Sequence, residues 1–130
     1  MVDLIDTNII VRFLVGDKNK KLFLQSKEIV EKIESGEKEV IILDVVIMEC
    51  LFVLVKFYHL PKEEVIKDLE KILALPFVIN NDKVIINEAL NIFLSKNLDF
   101  VDSLIYAKAK FNRYGFLTLD KKLNRLDSKK

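Results

Sequence analysis

The chain has 130 residues, 51% hydrophobic and 32% charged, which supplies one well-packed core and a charged exterior and argues against both disorder and a multi-domain architecture. Lys and Arg total 21 against 20 Asp and Glu, so a net charge of +1 offers no global basic field to nucleic acid, and any such binding must be local. A lone cysteine, Cys50, excludes an intramolecular disulfide framework and a multi-cysteine zinc site, and it suits a reducing compartment.

In chain order, Val2 to Asp6 alternates in character and runs into Asp6-Thr7-Asn8, three residues that favour turns and helix N-caps, predicting a short strand that feeds a helix over Ile9 to Leu14. Gly16-Asp17 punctuates it. Lys20 to Ser35 then places Leu22, Ile29, Val30 and Ile33 at helical spacing before Gly36 stops the run. Glu39 to Leu43 is β-branched and apolar on both faces, the pattern of a central parallel strand, and Asp44 is expected to cap a helix reaching Tyr58. Leu60-Pro61 restarts a helix with Glu63 and Glu64 at its positive end. Pro76 to Ile79 reads as another short strand. Asn81 or Asp82 caps the next helix, Asp99 caps one running to Tyr114-Gly115, and Phe116 to Leu119 is the last predicted strand, followed by Asp120 and a short basic helix or tail over 124–130.

Strands alternating with helices imply right-handed crossovers and an α/β sandwich around a mostly parallel sheet, with functional residues beyond the strands' carboxyl ends. The N-terminus lacks the basic-then-apolar pattern of a signal peptide, and the most apolar stretch, Val40 to Val55, is broken by Asp44 and Glu49 and is shorter than the roughly 20 residues a membrane span needs. The expectation is a soluble cytoplasmic protein of one domain over 1–130.

Asp6, Glu49, Asp102 and Asp120 all fall at or near predicted strand ends. Glu49 is the most informative, since the helix around it is nearly all apolar from Val45 to Val55 and ionised side chains are seldom buried unless paired or metal-bound. Ionised carboxylates gathered together repel one another unless a cation joins them, and oxygen-only ligands select a hard ion, Mg²⁺ or Mn²⁺. Phosphodiester hydrolysis is the chemistry such a site implies, with water as nucleophile and one or two ions.

The segments Leu4-Ile5-Asp6-Thr7-Asn8, Val46-Ile47-Met48-Glu49, Asp99-Phe100-Val101-Asp102-Ser103-Leu104-Ile105 and Leu117-Thr118-Leu119-Asp120 together resemble the PIN-domain nucleases, and within them the VapC-type ribonuclease toxins of toxin–antitoxin pairs. The resemblance covers Val2 to about Leu123 and rests on the order and spacing of the segments rather than on any one of them. It implies a three-layer sandwich whose short, mostly parallel central sheet has four or five strands. It also implies a metal-dependent endoribonuclease, commonly a homodimer, held inactive by an antitoxin whose arm reaches the acidic pocket. The tail beyond Asn124 is short, polar and basic where family members continue into a further strand.

Simpler readings stand beside these. Asp6 or Asn8, Asp44, Asp99 and Asp120 each sit where an N-cap is wanted, and caps are commoner than metal ligands. Asp99 with Asp102 has the spacing of an acidic capping box, so Asp99 is read as structural or as a support for the site and Asp102 as the ligand. Thr7, Asn8 and Thr118 are candidate hydrogen-bonding supports of the acids, and capping explains Thr7 and Asn8 equally well. Asp3 is given no role. Basic clusters at Lys18-Lys20-Lys21, Lys108-Lys110-Arg113 and Lys121-Lys122-Arg125 are ordinary solvated faces when taken singly. Arg12, Lys121 and Lys122, close in sequence to the acids, are the candidates for holding RNA backbone. The alternatives to a ribonuclease are a DNA-directed nuclease of the same metal chemistry and a catalytically inactive PIN-like interaction module.

Overall fold

The computed structural model of the chain describes residues 1–16 and 20–128, so Asp17, Lys18 and the end of the basic tail lie outside the described residues. Two compact units result, Met1–Asn81 and Asp82–Lys130.

In the first unit, β1 (Val2–Leu4) and β2 (Glu39–Ile41) pair in parallel, with Asp3 opposite Val40. Parallel neighbours need a long crossover. It is made by helices α1 (Thr7–Val15) and α2 (Lys20–Ser35), which pack on each other. Helix α1 begins two residues earlier than its apolar run, because Asp6 takes the extended N-cap conformation. Gly36 ends α2 with φ +85°, and a Cβ there would stand 2.7 Å from the Phe77 ring, so both backbone and space require glycine. Asp3 accepts a hydrogen bond from Lys38 Nζ at 2.9 Å and so pins β1 to the approach to β2.

The expected strand over Pro76 to Ile79 is reduced to one parallel bridge, Val40 with Val78. The physical reason lies in Asn80. Its side-chain amide does what a further strand residue would have done, accepting from Ile42 N–H at 2.9 Å and donating to Ile42 C=O at 2.6 Å. A side chain completes the ladder there, so the backbone need not continue it.

Helix α3 (Asp44–Leu51) starts from Leu43 rather than Asp44, correcting the expected cap; Asp44 sits in the first turn, where a carboxylate still favours the dipole. The chain then widens into a π-helical stretch, Phe52–Phe57, marked by the Tyr58 N–H donating to Val53 C=O. His59, at φ +55°, turns the chain, and α4 (Lys62–Leu73) follows with Pro61 as its N-cap. Ile10, Ile42, Ile47, Leu54, Ile66 and Leu69 are fully buried and form the heart of this unit's core, each contributing about 1.5–3 kcal/mol.

In the second unit, α5 (Lys83–Ser95) packs along α6 (Phe100–Asn112), with Phe93 edge-on to Phe100 at 6.3 Å. Arg113, not Gly115, ends α6 in the left-handed conformation at φ +59°. Helix α7 (Lys121–Ser128) gives the predicted basic tail a helical start and is held by Leu123, which is buried. The expected strand Phe116 to Leu119 is not one. Leu117 and Leu119 stand fully in solvent, and the polar groups of Thr118 are spent on the start of α7. The sheet among the described residues therefore has two strands and a bridge where four or five strands were expected.

Candidate functional site

Each unit carries its own group of predicted acids. In the first, Asp6 follows β1 and Glu49 lies in the middle of α3. Asp6 occupies the N-cap position of α1, yet its side chain makes no capping hydrogen bond, so the simpler reading of this residue fails. Thr7 is buried at the first position of α1 and Asn8 is exposed. Glu49 is exposed, which corrects the premise that an acid within an apolar helix must be buried. The apolar neighbours on its face, Val45, Met48 and Phe52, are themselves in solvent. Cys50, on the buried side of α3, reports both acids. Its thiol is pushed up to about 12, first by burial and then by the negative charges of Glu49 and Asp6. The two carboxylates thus act on the same neighbourhood.

In the second unit, Asp99, Asp102 and Asp120 line one cavity of about 360 Å³. Asp99 is a true cap: its Oδ1 accepts from Asp102 N–H at 2.8 Å, and its carbonyl accepts from Ser103 Oγ at 2.8 Å. Asp120 caps α7, accepting from Leu123 N–H at 3.0 Å, while its own N–H donates to Thr118 Oγ1 at 2.9 Å. Thr118 thus bonds the backbone of Asp120 and not its carboxylate. Asp102 caps nothing. Its carboxyl is raised above the ordinary range, first by burial and then by the charges of Asp99 and Asp120. A carboxylate raised by two neighbours and relieved by no cation is a group short of a counter-ion.

Among the described residues the ion pairs are Lys32 with Glu28, Lys38 with Asp3 and Lys110 with Glu88, and none of these involves Asp6, Glu49, Asp102 or Asp120. Lys121 and Lys122 nevertheless line the cavity of the second unit, together with Arg125. Arg12 lines a cavity between α1 and α2 with Gln25, Glu28 and Lys32. Arg125 was missed as a site residue. The signal was available, since residues 121 and 125 are one helical turn apart, on the face of α7 opposite Leu123.

The PIN domain family profile matches residues 4–129, and the chain belongs to the PIN-domain family. Neither the curated proteins nor the solved structures compared with it gave a match. Membership supports a divalent-metal-dependent nuclease, a hydrolase that binds metal, on an α/β fold. No helix of the described residues is long and apolar enough to cross a membrane.

Among the described residues no three His, Cys, Asp or Glu side chains are grouped as a ready metal cage. The donor set still fits a hard cation. All its members are carboxylates, and Mg²⁺ commonly takes only one or two carboxylates, completing its shell with water and substrate phosphate.

Proposed function

We propose that this chain is a Mg²⁺- or Mn²⁺-dependent endoribonuclease, the toxin of a toxin–antitoxin pair, in which Asp6, Glu49, Asp102 and Asp120 hold one or two ions. The observation that carries the reading is the PIN match over residues 4–129, which contains all four acids. Support comes from their chemistry: Asp6 is left uncommitted by its helix, and Asp102 carries a raised carboxyl that a cation would relieve. A bound divalent ion supplies an activated water and neutralises charge that builds on the phosphate. The chain's own residues hold the negative charge that such an ion needs, with Asp99 and Thr118 fixing Asp102 and Asp120 through the backbone. Lys121 and Lys122 hold substrate phosphate. The partners in this reading are RNA, an antitoxin and a second copy of the chain. Exposed Val45, Met48 and Phe52 provide an apolar surface of the kind that protein partners cover.

The test is incubation of the purified protein with assorted RNAs and DNAs in Mg²⁺, Mn²⁺ or chelator, beside Asp102→Asn. The reading expects RNA to be cut only with metal and the variant to lose at least about 100-fold, the scale of removing a group that stabilises the transition state. Cleavage of DNA alone would select the DNA nuclease. Absence of metal-dependent cleavage of either polymer would favour the inactive module.

A further inference from the structure

We propose that the segment between α6 and α7 is a processing site for an endopeptidase with an apolar primary pocket, and that one cut after Leu117 or Leu119 takes Asp120 out of the cavity it shares with Asp102. The cut itself stands apart from the nuclease reading above; its consequence for metal binding rests on that reading.

Three observations carry it. The first is exposure. Leu117 and Leu119 are 102% and 101% exposed, whereas Phe57, the next most exposed large apolar side chain after Met1 among the described residues, stands at 71% within a helical stretch. Their neighbours are engaged: Phe116 meets Tyr106 edge-on at 6.2 Å, and Thr118 bonds Asp120 and Asn124. Covering a leucine stabilises a folded chain, so packing does not account for a pair left bare between anchored residues.

The second is the backbone. Residues 114–120 form neither helix nor strand, and the N–H and C=O groups of Leu117 and Leu119 make no hydrogen bond among the described residues. Exposed segments of this kind are where nicking concentrates. A peptide laid against a sheet edge is held by main-chain hydrogen bonds and by pockets for alternate side chains, and two leucines separated by one residue supply alternate side chains on one side of an extended chain. The third is what a cut releases. Helix α7 has eight residues, too few for stability alone, and buried Leu123 holds it to its unit. Cleavage after Leu117 leaves Asp120 on a peptide of residues 118–130, and cleavage after Leu119 leaves it on 120–130. In either case the peptide C–N bond breaks, with the hydroxyl of water going to the carbonyl carbon and its hydrogen to the departing amine.

The experiment digests the folded protein with chymotrypsin, whose primary pocket is a hydrophobic slot, and maps the cuts over time by mass spectrometry. It compares the wild-type chain, Leu117→Asp/Leu119→Asp, the uncharged alternative Leu117→Thr/Leu119→Thr, and the control Leu24→Asp, which removes an exposed leucine from within α2. Thermal melts by circular dichroism verify folding; should the Asp pair melt early, the Thr pair carries the comparison. The first wild-type cut falls after Leu117 or Leu119, both double variants are cut at least about tenfold more slowly, as loss of a side chain that fills an apolar pocket entails, and the control is cut at the wild-type rate. On a size-exclusion column the cut chain loses its C-terminal peptide, and it then binds Mn²⁺ at least about tenfold more weakly than the intact chain. A first cut elsewhere, or double variants cut as fast as wild type, would overturn the processing site. A peptide that stays bound, with Mn²⁺ affinity unchanged, would overturn the release of Asp120. A wild-type chain cut as expected that binds no Mn²⁺ even when intact would count against the nuclease reading and leave the processing site standing.

Discussion

Of the aspartates at helix starts, Asp6, Asp99 and Asp120 each use the side chain differently. Asp99 closes the first turn of α6, Asp120 closes α7 and lines the cavity, and Asp6 closes nothing. Loss of a working cap costs about 1 kcal/mol, so Asp99→Ala should lower the melting temperature by several degrees, whereas Asp6→Ala should leave it nearly unchanged and remove cleavage. Differential scanning fluorimetry on the two variants checks this; an equal drop in both would mean that Asp6 is structural after all. Asp102 carries the opposite sign. Its folded-state pKa is raised above the ordinary 3.8, so the folded chain is favoured when this group is protonated, and that advantage is lost as pH rises through the raised value. In chelator at neutral pH, Asp102→Asn should therefore melt slightly higher than wild type, by no more than about 0.5 kcal/mol, because the residue is only partly buried and solvent screens the repulsion. The gap should close as pH falls below the ordinary value. A variant that melts lower at neutral pH would contradict the repulsion described here.

At the scale of the elements, two positions hold the first unit's sheet in place. Gly36 combines a positive φ with contact against Phe77, so Gly36→Ala adds backbone strain to a clash and should cost about 1–3 kcal/mol. Asn80 closes the ladder with its amide, and Asn80→Ala leaves the N–H and C=O of buried Ile42 unpaired, a loss of about 1–3 kcal/mol. Urea denaturation of both variants measures these costs, and a midpoint unchanged in either would show that its contact does not stabilise the fold. The helices were legible because each repeats an apolar stripe over several turns. The bounds of α2, from Lys20 to Ser35, were read directly from that stripe and from Gly36. That the last two expected strands would not form was not legible. Four-residue apolar runs such as Pro76 to Ile79 and Phe116 to Leu119 show a preference for extended backbone but not whether a hydrogen-bonding neighbour exists. In the first run a side chain takes the neighbour's place, and in the second the hydrogen bonds go to a helix cap.

For the whole molecule, the sequence brought out the acids but not their surroundings. Composition and the order of four short segments pointed to the PIN family, which the match over residues 4–129 establishes. The same sequence misjudged Glu49 as buried, because an apolar helix with an exposed apolar face looks identical, in one dimension, to a helix buried all round. Arg125 was read with Lys121 and Lys122 as an ordinary solvated face because a cation four residues from another is ordinary until a cavity is found beside it. The central proposal is that Glu49 and Asp102 each serve metal. It is tested most directly by Mn²⁺ affinity, read from the electron paramagnetic resonance of free Mn²⁺ during titration of the wild-type chain, Glu49→Gln and Asp102→Asn. The account predicts saturable binding that each variant weakens at least about tenfold, as loss of a group that orients a metal typically does. Wild-type affinity retained in either variant would contradict it.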